Sequence, residues 1–236
     1  MNIKYYLHKF LFFLTPLLLV ILLYLYGSTA EYFDNIYIMA LGASCFFCWG
    51  DKDTLGALLA LIGFLSLSKL LFIAPDSPLY WLLIYGGCLV LSICYFHHIT
   101  AKILLGFVVF TVGAEIYWWN ISYASKPMMA YQVSLIALTV WLRQLLFSRV
   151  FIMSKYFGYS SGKLTLDVHI GGIFYSYYVL VILMAVEYFV RHIAGIKDVY
   201  IIYNLYTPAS TFVSSLTLAV VYMHYFYNQS QKHLPA

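Results

Sequence analysis

The sequence predicts an all-α polytopic membrane protein, a bundle of about eight transmembrane helices with both termini cytoplasmic (N-in/C-in). Three observations carry that expectation. The 236 residues are 64% hydrophobic and only 9% charged, where a soluble domain has about 25% charged residues. Apolar runs near the ~20 residues needed to cross hydrocarbon recur along the chain between short polar stretches. The Lys and Arg residues are distributed unevenly between alternate loops. With a mean hydropathy of +0.86, most of the surface must face lipid. Eight spans with short loops use nearly the whole chain, so 1–236 reads as one membrane domain.

Lys4 and Lys9 precede the first apolar run, 10–26, and Gly27-Ser28-Thr29-Ala30 follows it. The basic start and small residues are those of a secretory signal, but the run is long, and it reads as span one. Glu31 and Asp34 fall in a short loop. Span two is 36–50, stopped by Asp51-Lys52-Asp53. Span three is 54–73, followed by the turn Ala74-Pro75-Asp76-Ser77-Pro78. Span four is 79–96 and ends at His97-His98. Span five is 103–123, broken by Ala124-Ser125-Lys126-Pro127. Span six is 130–148. From Arg149 to His169 basic residues alternate with aromatics around Gly158-Tyr159-Ser160-Ser161-Gly162, which reads as an interfacial amphipathic element over 150–166. Span seven is 170–190. A longer connection leads to span eight at 208–227, opened by Pro208.

Eight spans place Lys4, Lys9, Lys52, Lys102, Arg149, Lys155, Lys163 and Lys232 on the side of the N-terminus, and Lys126, Arg191 and Lys197 on the other. The positive-inside rule makes the first side cytoplasmic, as expected of a protein in a bacterial-type inner (plasma) membrane. The aromatic share of 20%, with 24 Tyr, is expected to form interfacial belts at the span ends. Trp118 and Trp119 are read as the approach to one of them. Clusters of small residues, Gly113-Ala114 and Gly56-Ala57 among them, permit close helix approach.

Ionisable groups inside spans cost at least ~2.5–3.5 kcal/mol each on insertion scales. Glu115, eight residues from the outer end of span five, lies about 12 Å deep. Lys69 and Glu187 lie about 6 and 5 Å deep on spans of the same direction. The expectation is an outer-half polar cluster with Lys69 between Glu115 and Glu187 and with Asn120 near the same level. On the cytoplasmic side, Arg143 and Gln144 join His97, His98, Asp167 and His169 in a possible polar set. Adjacent histidines point in different directions on a helix, so a metal site there is not expected. Arg143 also reads as a headgroup anchor alongside Arg149.

Cys45 and Cys48 form a C-x-x-C near the cytoplasmic end of span two, where thiols stay reduced. All four cysteines, Cys88 and Cys94 included, are expected free and buried. No cofactor motif is present: H-E-x-x-H, G-x-S-x-G and a Walker sequence are all missing, so no catalytic residue is assigned. The leading functional expectation is a small transport or channel-type protein with Glu115 at the inner limit of an outward-facing polar pathway. The alternative is a non-catalytic subunit or sensor of a larger complex. A membrane enzyme acting on lipid-linked substrates through the His/Asp set ranks below both. The expected partners are the lipid bilayer and either a second copy or a protein docking through 149–169. The sequence lacks a soluble cluster of Lys and Arg, which excludes nucleic acid.

Overall fold

The computed structural model describes residues 3–26, 30–73, 77–123, 129–158, 164–196 and 198–232. It is all-helical: α1 (Ile3–Tyr26), α2 (Ala30–Phe47), α3 (Lys52–Ile73), α4 (Pro78–Cys94), α5 (Ile99–Asn120), α6 (Met129–Phe157), α7 (Leu164–His192) and α8 (Ile201–Lys232). Among the described residues five helices, α3 and α5 through α8, are long and apolar enough to cross a membrane, and α2 and α4 contain shorter apolar segments. Their outward faces are apolar as well. Leu70, Val109, Phe110, Phe151, Val179 and Phe212 are all exposed, a continuous apolar surface that water would not tolerate. This is a membrane-embedded helical protein.

Two helices organise the packing. α6 packs against α3, α4, α5 and α7, and α8 packs against α1, α2, α3 and α7. Consecutive helices run up and down, so one end of the bundle gathers the starts of α3 and α7 with the latter part of α6. We call it the Arg149 end. The opposite end gathers the last turns of α3, α5 and α7 with the first turns of α4, α6 and α8, and is called the Arg191 end. A core of Leu58, Leu61, Leu142, Leu146, Leu166 and Ile170, together with Leu218 and Val221 of α8, fills the bundle towards the Arg149 end. A second core joins α4, α5, α6 and α7 around Leu104, Ile136 and Val181.

Several element boundaries differ from the sequence reading; α1 begins at Ile3 and α5 at Ile99, ahead of the expected spans. α2 begins at Ala30, so Asp34 is helical and not in a loop. α6 continues to Phe157, and α7 begins at Leu164. The stretch expected as a separate interfacial element, 150–166, is therefore mostly the ends of two long helices, with Phe151 and Tyr156 exposed under the Lys155 ammonium. α8 begins at Ile201, seven residues before Pro208, which lies inside it. The turns expected at 27–29, 74–76, 124–128 and 159–163, and the charges of Lys126, Lys163 and Lys197, lie outside the described residues.

Candidate functional site

At the Arg191 end the helix termini are fixed by side-chain caps. Ser77 caps α4 by accepting from the backbone N–H of Tyr80, with proline at the start of the helix, a residue type preorganised for that position. The Tyr80 hydroxyl then donates to the Leu71 carbonyl at 3.1 Å, which ties α4 to α3. Glu187 of α7 does the same for α8 from outside that helix: its carboxylate accepts from the N–H groups of Ile202 and Tyr203. A carboxylate at a helix N-terminus meets both the unpaired N–H groups and the positive end of the macrodipole. Gly195, at φ +73°, makes the turn that brings α8 back to it.

These caps frame a cavity of about 490 Å³ between α3, α4, α6, α7 and α8. It is lined by Phe72, Tyr80, Trp81, Tyr131, Tyr188, Tyr200 and Tyr203, with Gln132 and Arg191 as its polar groups. The Arg191 guanidinium is boxed by three rings, its carbon 5.4 Å from the centre of Tyr188, 4.7 Å from Tyr200 and 5.7 Å from Tyr203. Its nearest carboxylate oxygen, Glu187 Oε1, is 4.0 Å away, beyond hydrogen-bond distance. Arg191 Nε and Gln132 Oε1 are both buried without a hydrogen-bond partner among the described residues.

Tyr131 also walls a second, narrower cavity of about 180 Å³ between α2, α3, α6, α7 and α8. Its lining is rich in hydroxyls: Ser68, Tyr177, Tyr206, Thr207, Ser210 and Thr211, with Asp34 as its carboxylate. The Tyr177 and Tyr206 hydroxyls are 3.0 Å apart. Pro208 supplies no N–H inside α8, and next to it the Thr211 hydroxyl donates to the Pro208 carbonyl and the Ser210 hydroxyl to that of Thr207. The space is polar and roomy enough to hold water. Beyond it the leucine core closes the bundle.

The Arg149 end is closed by ions. Arg149 donates from Nε and Nη2 to the two carboxylate oxygens of Asp167, at 2.9 and 2.8 Å, and from Nη1 to the Asp53 carbonyl and carboxylate, at 2.9 and 3.3 Å. Both aspartates lie in the first turn of their helices, where the macrodipole favours them. All three residues are buried. The guanidinium passes so close to α3 that a Cβ on Gly56 would stand 3.2 Å from Arg149 Cδ.

The sequence-expected residues are thus distributed differently. Lys69 is half-buried on α3, within electrostatic reach of Asp34. Glu115 accepts from the Tyr85 hydroxyl of α4, and Glu187 caps α8. Three separate neighbourhoods replace a single cluster around Lys69: Glu115 faces Tyr85 of α4, Glu187 faces the start of α8, and Lys69 faces Asp34 of α2. Asn120 is exposed at the end of α5. Asp167 is taken by Arg149, which is not a headgroup anchor. Arg143 lies over the rings of Phe147 and Tyr175, at 5.7 and 5.8 Å. Gln144 is half-buried beside it. His97 and His98 are exposed, their rings 5.5 Å apart, and His169 is exposed on the rim of an apolar groove between α7 and α8. No group of three metal-ligating side chains occurs among the described residues. Cys94 is exposed, unlike buried Cys48 and Cys88, and Cys45 is intermediate. Trp118 is 1% exposed and stacks on Tyr123 and Phe189 in the interior, whereas Trp119 is exposed.

Asp34, Asp53, Gln132 and Arg191 are the residues to which sequence reading gave no site role, and it placed Arg149 and Asp167 without pairing them. One signal for them was available: Thr207-Pro208-x-Ser210-Thr211 puts four polarity-bearing or helix-breaking residues inside an otherwise apolar span. Comparison with known proteins adds no name, since no family model, curated protein or solved structure matches the chain.

Proposed function

We propose that this is a small transport-type membrane protein that takes up a solute from the Arg191 end, in a bacterial-type plasma membrane with both termini cytoplasmic. The single observation that carries the reading is the pair of cavities sharing the Tyr131 wall. A wide aromatic vestibule with a cation stands next to a narrow hydroxyl-lined chamber holding Asp34. Leucine packing and the Arg149 triad then close the other end. A wide mouth, a narrow polar chamber and a sealed base form the geometry of a carrier open to one side, since alternating access requires one closed gate at a time. The orientation rests on the excess of Lys and Arg at the Arg149 end. In this reading Glu115 is a structural partner of Tyr85, and Asp34, with Lys69 near it, takes the pathway role.

The test is solute entry into proteoliposomes, followed by light scattering in iso-osmotic panels of small anionic, neutral and cationic solutes. At least one solute should enter faster than into protein-free liposomes, and Ser210→Trp, which fills the chamber, should cut that rate tenfold or more. A whole panel indistinguishable from empty liposomes overturns the reading.

A further inference from the structure

We infer that the vestibule at the Arg191 end binds an amphipathic organic oxyanion, a single carboxylate or phosphate carried on an apolar body, with Arg191 holding the head and the aromatic wall holding the body. The inference rests on the transport reading for its biological use but not for its physical argument. A guanidinium has five N–H donors, and here the paired carboxylate makes no hydrogen bond to it. Both oxygens of Glu187 accept from the backbone of α8, and the nearer one stands 4.0 Å from Arg191 Nη2. The side chain is nonetheless only 12% exposed, with Nε lacking any partner among the described residues. A buried donor left unmade is costly, and an oxyanion entering the cavity supplies the missing acceptor in the fork geometry that guanidinium favours.

Gln132 is an independent second observation. It is 7% exposed, lines the same cavity from α6, and its carbonyl oxygen also lacks a hydrogen-bond partner. An acceptor and a donor lining one cavity ask for a ligand that both accepts and donates, such as a hydroxy acid or a phosphate monoester. The remaining wall is Phe72, Trp81, Tyr131 and Tyr203 with aliphatic neighbours, which suits an alkyl or aromatic body. The volume of about 490 Å³ is within the ~300–1,000 Å³ of small-molecule sites. A cationic amphiphile fits the aromatic wall equally well but meets Arg191 as a like charge, and so the charge of the head is the discriminating property.

The same chemistry has two sources, a water-soluble amphiphilic acid or the phosphate of a bilayer lipid, and one experiment separates them. Purified protein in phosphatidylcholine nanodiscs is titrated with 3-hydroxydecanoate, and with decyltrimethylammonium as the charge-reversed control. Saturable binding of the acid and none of the cation is expected. Arg191→Gln should weaken acid binding at least tenfold. Gln132→Glu, which leaves Arg191 and its caps in place and puts a like charge opposite the head, should weaken it comparably. If phosphatidic acid, a lipid phosphate monoester, competes with the acid when added to the nanodisc, the lipid phosphate is the natural head. If it does not, a soluble acid is. Equal binding of cation and acid, or undiminished binding in both variants, overturns the inference. Binding without solute entry in proteoliposomes leaves the inference standing and sinks the transport reading, and entry of solutes without acid binding does the reverse.

Discussion

Arg149 shows how one residue's neighbours decide its role. By position alone it is a basic residue just past a span, ready to snorkel to headgroups. In the folded chain it is 5% exposed and makes a two-pronged pair with Asp167 and a further pair with Asp53. Removing one partner of a buried ion network leaves uncompensated charge, at a cost of about 3–5 kcal/mol. Arg149→Met leaves two carboxylates facing each other at the starts of α3 and α7. Its unfolding free energy in detergent should fall by about that amount. The triple variant Arg149→Met/Asp53→Asn/Asp167→Asn should recover much of the loss, because neutral partners of similar shape need no counter-charge. If the triple variant is no more stable than the single, the triad is not acting as a charge network. The sequence displayed all three residues, but their meeting depends on α6 and α7 extending past the expected span ends, which local hydropathy did not reveal.

At the scale of the element, α8 is the helix that the sequence delimited least well. Pro208 reads as a helix start because proline is favoured in the first turn and removes a hydrogen bond in the interior. The seven residues before it are nonetheless helical. What permits this is not local: the carboxylate of Glu187, fourteen positions before Ile201, supplies the missing cap through the bonds to Ile202 and Tyr203. Propensity reading has no access to a cap provided by another helix. Its removal is a direct check. Charge-assisted bonds to backbone N–H groups contribute about 1.5–3 kcal/mol, so Glu187→Ala should destabilise the protein by about that much. Amide exchange should rise in 201–207 while α3 and α6 stay protected. Unchanged protection at 201–207 counts against the cap. By contrast the long helices α3, α5, α6 and α7 were legible from the sequence because each carries a near-continuous apolar run of about a span's length, a signal summed over many residues.

For the whole molecule, the proposed orientation in the membrane rests on which end bears the positive charge, and two cysteines test it. Cys94 lies exposed at the end of α4, on the Arg149 side, because α4 starts at the Tyr80 cap and runs the other way. Asn120 is exposed at the far end of α5, on the Arg191 side. If the Lys-rich end is cytoplasmic, a membrane-impermeant maleimide added to intact cells should leave native Cys94 unlabelled and should label it in inside-out vesicles. Asn120→Cys on a Cys94→Ser background should give the opposite result. Cys45 is half-buried and is replaced by serine in both backgrounds, which leaves only the buried pair Cys48 and Cys88 beside the reporter. Matching results at the two positions place the vestibule of Arg191, Gln132 and the aromatic ring set on the outside, the only side from which an extracellular solute or an outer-leaflet lipid reaches it. Reversed labelling turns the same cavity into an inward-facing site, and under the proposed transport reading the Arg149 end is then the outer gate and the solute comes from the cytoplasm.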